Sequence, residues 1–98
     1  EALTLCTLAE VSWLQGDNAR ALELAQTARA IALAVEAKDT EINALLNVGV
    51  AELALGNVAA AVSAFEDCRA NAVAIKDPRQ HDAAAGLARA AQRQGDLE

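Results

Sequence analysis

The chain has 98 residues, of which 54% are hydrophobic and 22% charged, and its fourteen acidic side chains outnumber eight basic ones to give a net charge of −6. The apolar fraction excludes disorder by composition, and the acidic balance argues against nucleic-acid binding, which requires clustered lysines and arginines. Twenty-six alanines, with one proline and two aromatic residues, predict a close-packed all-α fold, because alanine is the best helix former.

Five helices are predicted from the apolar periodicity and its interruptions. In chain order they span about 2–15, 18–37, 40–55, 58–76 and 79–94. Three boundaries carry a glycine before an aspartate or asparagine, at Gly16-Asp17, Gly56-Asn57 and Gly95-Asp96. Such a glycine ends a helix in the left-handed conformation, and the side chain after it accepts hydrogen bonds from the first amides of the next helix. Turns of this length predict antiparallel helical hairpins.

The remaining two boundaries have a different composition. Lys38 and Lys76 are predicted to end the second helix of each hairpin, where a cation suits the negative end of the helix dipole. The segment 77–80 then predicts a capped start, with a proline at the first helical position and a glutamine that reaches back. The segment 39–41 predicts a similar but weaker start.

The predicted helices also differ in their apolar surface. The third, 40–55, is apolar nearly all round and is therefore predicted to be central. The last, 79–94, has Leu87 as its only large apolar residue and is predicted to be peripheral. The longest uncharged stretch, 53–65, is too short to span a bilayer.

A short pattern recurs about every forty residues along the chain. A large and a small apolar residue precede each of the three glycines at the same spacing, as Leu8-Ala9, Val48-Gly49 and Leu87-Ala88. Such a period marks an array of units, none of which buries its apolar face alone. The pattern resembles the tetratricopeptide repeat, a helix pair with these residues in its first helix and small, large and small apolar positions in its second. The middle copy carries the resemblance best, through Leu45, Val48, Gly49, Gly56, Ala61, Phe65 and Cys68.

The resemblance implies a right-handed α-solenoid of antiparallel helix pairs, with about 2.5 units. The units are expected at about 1–38, 39–77 and 78–98, the last incomplete, in a single domain that is a fragment of a larger protein. Units of about forty residues, longer than the usual thirty-four or so, resemble those of MalT- and LuxR-like bacterial regulators. This implies a cytoplasmic protein-interaction and scaffolding module. The alternative is a peptide- or small-effector-sensing segment of a transcriptional regulator or signalling ATPase.

In tetratricopeptide repeats the first helix of each pair lines a concave groove. By resemblance, the groove residues here are Cys6, Glu10, Trp13, Asn43, Asn47, Val50, Asp82, Arg89 and Arg93. Asn43 and Asn47 lie one helical turn apart, and they either pair with the backbone of a bound peptide or hydrate the open side of a central helix. Trp13 is either a binding anchor or a core residue. A clamp for the terminal carboxylate of a peptide is not expected, because most of its positions hold other residue types.

The sequence has no residues at the spacing of a catalytic or metal site. His81 is the only histidine, and no second ligand or base accompanies it. No phosphate-binding loop is present, and Cys6 and Cys68 are expected to be small core residues rather than a disulfide. The sequence therefore predicts no enzyme, no cofactor and no metal. The expected partners are a protein or peptide ligand and a second copy bound through exposed end helices, with no nucleic acid and no membrane.

Overall fold

The computed structural model describes residues 2–97 and consists of five α-helices. They are α1 (Ala2–Leu14), α2 (Asn18–Ala34), α3 (Lys38–Ala54), α4 (Val58–Ala74) and α5 (Arg79–Leu97). Each helix packs against the next, and α3 also packs against α1 and α5, so α3 is central as predicted. The described residues contain no strand, and the predicted all-α solenoid of antiparallel helix pairs is confirmed. Glu1 and Glu98, at the ends of the predicted units, lie outside the described residues.

All four connections between helices have the same backbone geometry. Just beyond each helix one residue is left-handed, with φ from 57° to 88°: Gly16, Glu36, Gly56 and Lys76. The next backbone N–H donates to a carbonyl five residues earlier, from Asp17 to Ser12 (2.9 Å) at the first corner and from Asp77 to Ala72 (2.8 Å) at the last. This is the Schellman motif, which satisfies carbonyls that the end of a helix leaves free. The left-handed residues are twenty positions apart, so each forty-residue unit contains the corner twice.

Three predicted boundaries are wrong. Lys38 does not end α2 but begins α3, whose N-cap residue Ala37 has no side-chain hydrogen bond. Lys76 lies in the turn beyond α4. Gly95 does not end α5, which continues to Leu97. A glycine costs a helix interior only about 1 kcal/mol, so composition alone does not stop the helix there.

The helix starts differ in how their first amides are satisfied. Asp17 caps α2 as predicted, since its carboxylate accepts from a backbone N–H of the first turn at 3.3 Å. Asn57 does not cap α4 through its side chain, which donates instead to the Glu52 carboxylate at 3.2 Å. The Asp77 carboxylate accepts from the backbone N–H of Arg79 at 2.9 Å. The side chain that reaches back to this carboxylate is that of Arg79 (2.9 Å), not the predicted glutamine.

One aromatic ring fills the space where α3, α4 and α5 meet. Phe65 of α4 is 1% exposed, and its Cε1 atom would lie 2.5 Å from a Cβ atom built on either Gly49 or Gly86. Real Cβ atoms do not come that close, so both neighbouring helices approach the ring through a glycine. Gly49 belongs to the repeat pattern that the sequence shows, whereas Gly86 lies outside it.

Within residues 2–97, none of the helices combines the length and the apolar character that crossing a bilayer requires.

Candidate functional site

A groove with a volume of about 390 Å³ opens along α1, α3 and α5. Its floor is an apolar face of α3, made of Leu46, Val50, Leu53 and Ala54. These residues recur at intervals of three or four, which places them on one side of the helix. Trp13 of α1, 41% exposed, lines one side, and the ring of Phe65 lies beneath. The first helix of every hairpin therefore contributes to one surface.

The side of the groove formed by α5 is polar. Arg93 donates to the carbonyl oxygen of Leu53 at 2.7 Å, and this places a cation at the negative end of the α3 dipole. Arg89 lies one turn earlier and is exposed, and among residues 2–97 no hydrogen bond or ion pair engages its guanidinium. Asp82 is the acidic member of the lining. Two arginines thus face the groove with one aspartate, in a chain whose net charge is −6.

The structure brings five of the predicted groove residues together along this groove: Trp13, Val50, Asp82, Arg89 and Arg93. Glu10 is exposed on α1 and Asn43 is half-buried on α3, and neither belongs to the lining. The tryptophan is partly exposed and partly packed, so it combines features of both interpretations offered by the sequence.

Cys6 is buried between helices and Asn47 is half-buried on α3, and neither side chain lines the groove. Cys6 is 1% exposed and packs with Ala28 and Ala44, so its expected place in the groove is wrong. Burial raises the pKa of the Cys6 thiol, and the Asn47 amide beside it lowers that pKa by a smaller amount. The amide nitrogen of Asn47 is buried and has no hydrogen-bond acceptor among the described residues. The donor end of this side chain is therefore not presented to the groove.

A family model described as Tetratricopeptide repeat matches residues 1–74 of the chain. The chain belongs to the tetratricopeptide repeat family. Members of this family are non-catalytic scaffolds that bind other proteins, and their stacked helices form extended concave surfaces. No curated protein and no solved structure matches the chain.

The sequence prediction of this tetratricopeptide groove missed most of its apolar floor. Leu46 and Leu53 flank the predicted Val50 at helical spacing, and that spacing is the signal that could have identified them. The prediction selected the asparagines instead, because polar residues on an apolar helix call for an explanation. Gly86 was missed because its role depends on Phe65, a residue of another helix.

The histidine and the two cysteines of the repeat domain do not line the groove. The described part of the chain contains no cluster of three or more His, Cys, Asp or Glu side chains that could hold a metal ion, and His81 is exposed. Cys6 and Cys68 are free and buried, which confirms that both are core residues. The Cys68 thiol donates to the carbonyl of Ile42 at 3.5 Å, and burial raises the pKa of this thiol to about 11.

Proposed function

We propose that this tetratricopeptide repeat domain binds a peptide segment of a partner protein in the groove between α1, α3 and α5. The observation that carries the proposal is the convergence of three first helices on one groove. There an apolar floor, a partly exposed tryptophan and an arginine with no partner among residues 2–97 lie together. Aromatic and arginine side chains next to an apolar centre are typical of the residues that dominate binding energy at protein interfaces.

We further propose that the domain is an interaction and scaffolding segment of a larger cytosolic bacterial regulator. The resemblance of its long units to those of MalT- and LuxR-like proteins supports this setting. The alternative is that the groove takes a peptide or small effector and senses it for a transcriptional regulator or signalling ATPase. Its volume of about 390 Å³ supports that alternative, because small-molecule sites measure about 300–1,000 Å³. The complete open reading frame decides between the settings, since either output requires further domains.

Selection from a displayed library of random peptides tests the groove directly. We expect the selected peptides to bind the wild-type protein and to lose binding when Val50→Glu places a charge on the apolar floor. Val73→Glu is the matched control, because Val73 is 48% exposed on α4 and does not line the groove. Peptides that bind Val50→Glu as well as wild type, or that depend on Val73, would contradict the proposal.

We also propose that two copies of the protein associate through their end helices at high concentration. Leu8, Val11 and Leu14 of α1 are 44–74% exposed, and Ala84 and Ala88 of α5 are exposed as well. These faces support the proposal of a homo-oligomer at high concentration. Sedimentation of the free protein over a range of concentrations shows an increasing mass if this pairing occurs and a constant monomer mass if it does not.

A further inference from the structure

We infer that the occupant of this groove is a peptide segment in which a large apolar side chain is accompanied by the carboxylate of an aspartate or glutamate side chain. The inference rests on the proposed peptide-binding function and specifies the chemistry of the partner. It has two parts, one from the apolar floor and one from the free arginine on α5.

The apolar part follows from the residues at the centre of the groove. Leu46 and Val50 are half-buried on α3, and Trp13 lines the groove beside them with two fifths of its surface exposed. Phe65 is 1% exposed, because the backbone of α5 at Gly86 lies directly against its ring, so the apolar residues of α3 and Trp13 are the surface open to a ligand. An apolar side chain that enters the groove removes this surface from water, which stabilises a complex by about 25 cal/mol per Å².

The charged part follows from the difference between the two arginines. One N–H group of Arg93 is engaged by the carbonyl of Leu53 at 2.7 Å. Arg89 has no such contact among the described residues, although Asp82 lies on the same helix and lines the same groove. A guanidinium presents paired N–H donors that match both oxygens of a carboxylate. Arg89 is therefore a charged donor group that a ligand beside the apolar floor can use.

A side-chain carboxylate fits better than the terminal carboxylate of a peptide. A clamp on a chain terminus draws donors from several helices, whereas the described residues that α1 and α3 contribute to this groove are Trp13 and apolar residues. The charged donors come from α5 alone. An acidic side chain next to an apolar one requires donors on one side only, and this is the arrangement that the groove offers.

The experiment uses the peptides selected by the wild-type protein and synthetic versions of the best one. We expect the selected sequences to combine a large apolar residue with a nearby aspartate or glutamate. Replacing that acidic residue by its amide should weaken binding about fivefold, the upper range for an exposed ion pair, and the effect should shrink at high salt. Amidation of the C-terminus should leave the affinity unchanged. Trp13 is the only tryptophan, so its fluorescence reports binding.

A charge exchange separates a direct contact from a general field effect. Arg89→Glu should weaken the acidic peptide about five- to tenfold and should bind a version with lysine at the acidic position better than wild type does. Arg20→Glu is the matched control, because Arg20 is exposed on α2 and does not line the groove, and it should change neither affinity. Arg89→Gln, which keeps a helix-forming side chain of similar length, covers the case in which the reversed charge disturbs the fold.

The outcomes for this inference and for the proposed function are distinct. Binding that depends on Val50 but is indifferent to Arg89 and to the acidic residue overturns the inference and leaves the groove as the binding site. A preference for the terminal carboxylate overturns it as well. Binding that does not depend on Val50 overturns both. Recovery of Arg89→Glu by the lysine peptide supports the contact, since a merely structural role of Arg89 does not predict it.

Discussion

Equivalent positions of the two hairpins carry side chains of different size, and a larger residue at one position is accompanied by a smaller residue at its neighbours. In the first hairpin Ala9 and Ala25 are joined by Val48 from α3. Forty positions later the small residue is Gly49 and the second-helix residue is Phe65, whose ring also meets Gly86 of α5. A larger side chain on one helix is thus matched by the loss of side chains on two others, as native packing density requires.

This exchange predicts opposite effects for two glycines of the same helix. Gly86→Ala places a Cβ atom 2.5 Å from Cε1 of Phe65, a ring that is 1% exposed and packed on all sides. We expect a loss of about 1–3 kcal/mol from overpacking. Gly95→Ala meets no atom within 4 Å and should stabilise α5 by up to about 1 kcal/mol, since alanine is the better helix former. Urea unfolding of both variants measures the difference.

Phe65→Leu supplies the control for this pair of variants. It shortens the ring that an added methyl group meets, so Gly86→Ala should cost less in the Phe65→Leu background than in wild type. Equal costs in the two backgrounds would mean that the ring is not the cause. A smaller cost of Gly86→Ala in the Phe65→Leu background would be a non-additive result, which is expected for residues in contact.

At the level of the helices, the sequence predicts the number and the order of the helices well, but it predicts the positions of their ends less well. The glycine signal locates two of the four corners, at Gly16 and Gly56. It does not locate the corners at Glu36 and Lys76, because residues with a Cβ atom rarely adopt positive φ and give no sequence signal for it. The twenty-residue spacing of the corners is visible only in the backbone.

The left-handed corners predict a stabilising substitution. Glu36 and Lys76 have φ of 57° and exposed side chains, and a non-glycine residue in this conformation is strained by about 1 kcal/mol. Glu36→Gly and Lys76→Gly should therefore each raise the free energy of unfolding by about 0.5–1 kcal/mol. Gly16→Ala, at the equivalent corner, should lower it by a similar amount. Thermal melts of the three variants test the signs, and a loss of stability in both glycine variants would contradict the assigned strain.

The groove shows why helix faces are harder to predict than helices. Neighbouring residues of an α-helix point in directions about 100° apart. Leu46 therefore lines the groove, whereas the predicted residue, Asn47, lies beside Cys6 of α1. Val50, Arg89 and Arg93 were predicted from family resemblance and do line the groove. The packing partners of α3 fix its rotation, and those partners come from all four other helices.

At the scale of the whole molecule, one arginine joins the beginnings of α3 and α5. The Arg79 side chain donates to the Asp77 carboxylate at 2.9 and 2.6 Å. It also donates to the carboxylate of Asp39 and, at 3.2 Å, to the carbonyl of Asp39. The hydrogen bonds to Asp77 are the main cause that raises the pKa of Arg79. Hydrogen bonds and ion pairs therefore connect the start of the central helix to the start of the last helix, through residues that do not line the groove.

This contact predicts how the stability of the protein depends on acid. Hydrogen bonds from Arg79 lower the pKa of Asp77 from 3.8 to about 2. The ionised carboxylate thus stabilises the fold fully above the unfolded value of 3.8, and this contribution is lost as the pH falls through about 2.

Asp77→Asn keeps an oxygen for the backbone N–H of Arg79 but removes the charge. It should be less stable than wild type near neutral pH, and the gap in urea midpoint should close in this acidic window. Asp67→Asn, at a carboxylate 3.9 Å from Arg29, is the control for general loss of charge. If the difference in urea midpoint between Asp77→Asn and wild type stays constant over this pH range, the charge of Asp77 does not contribute to stability.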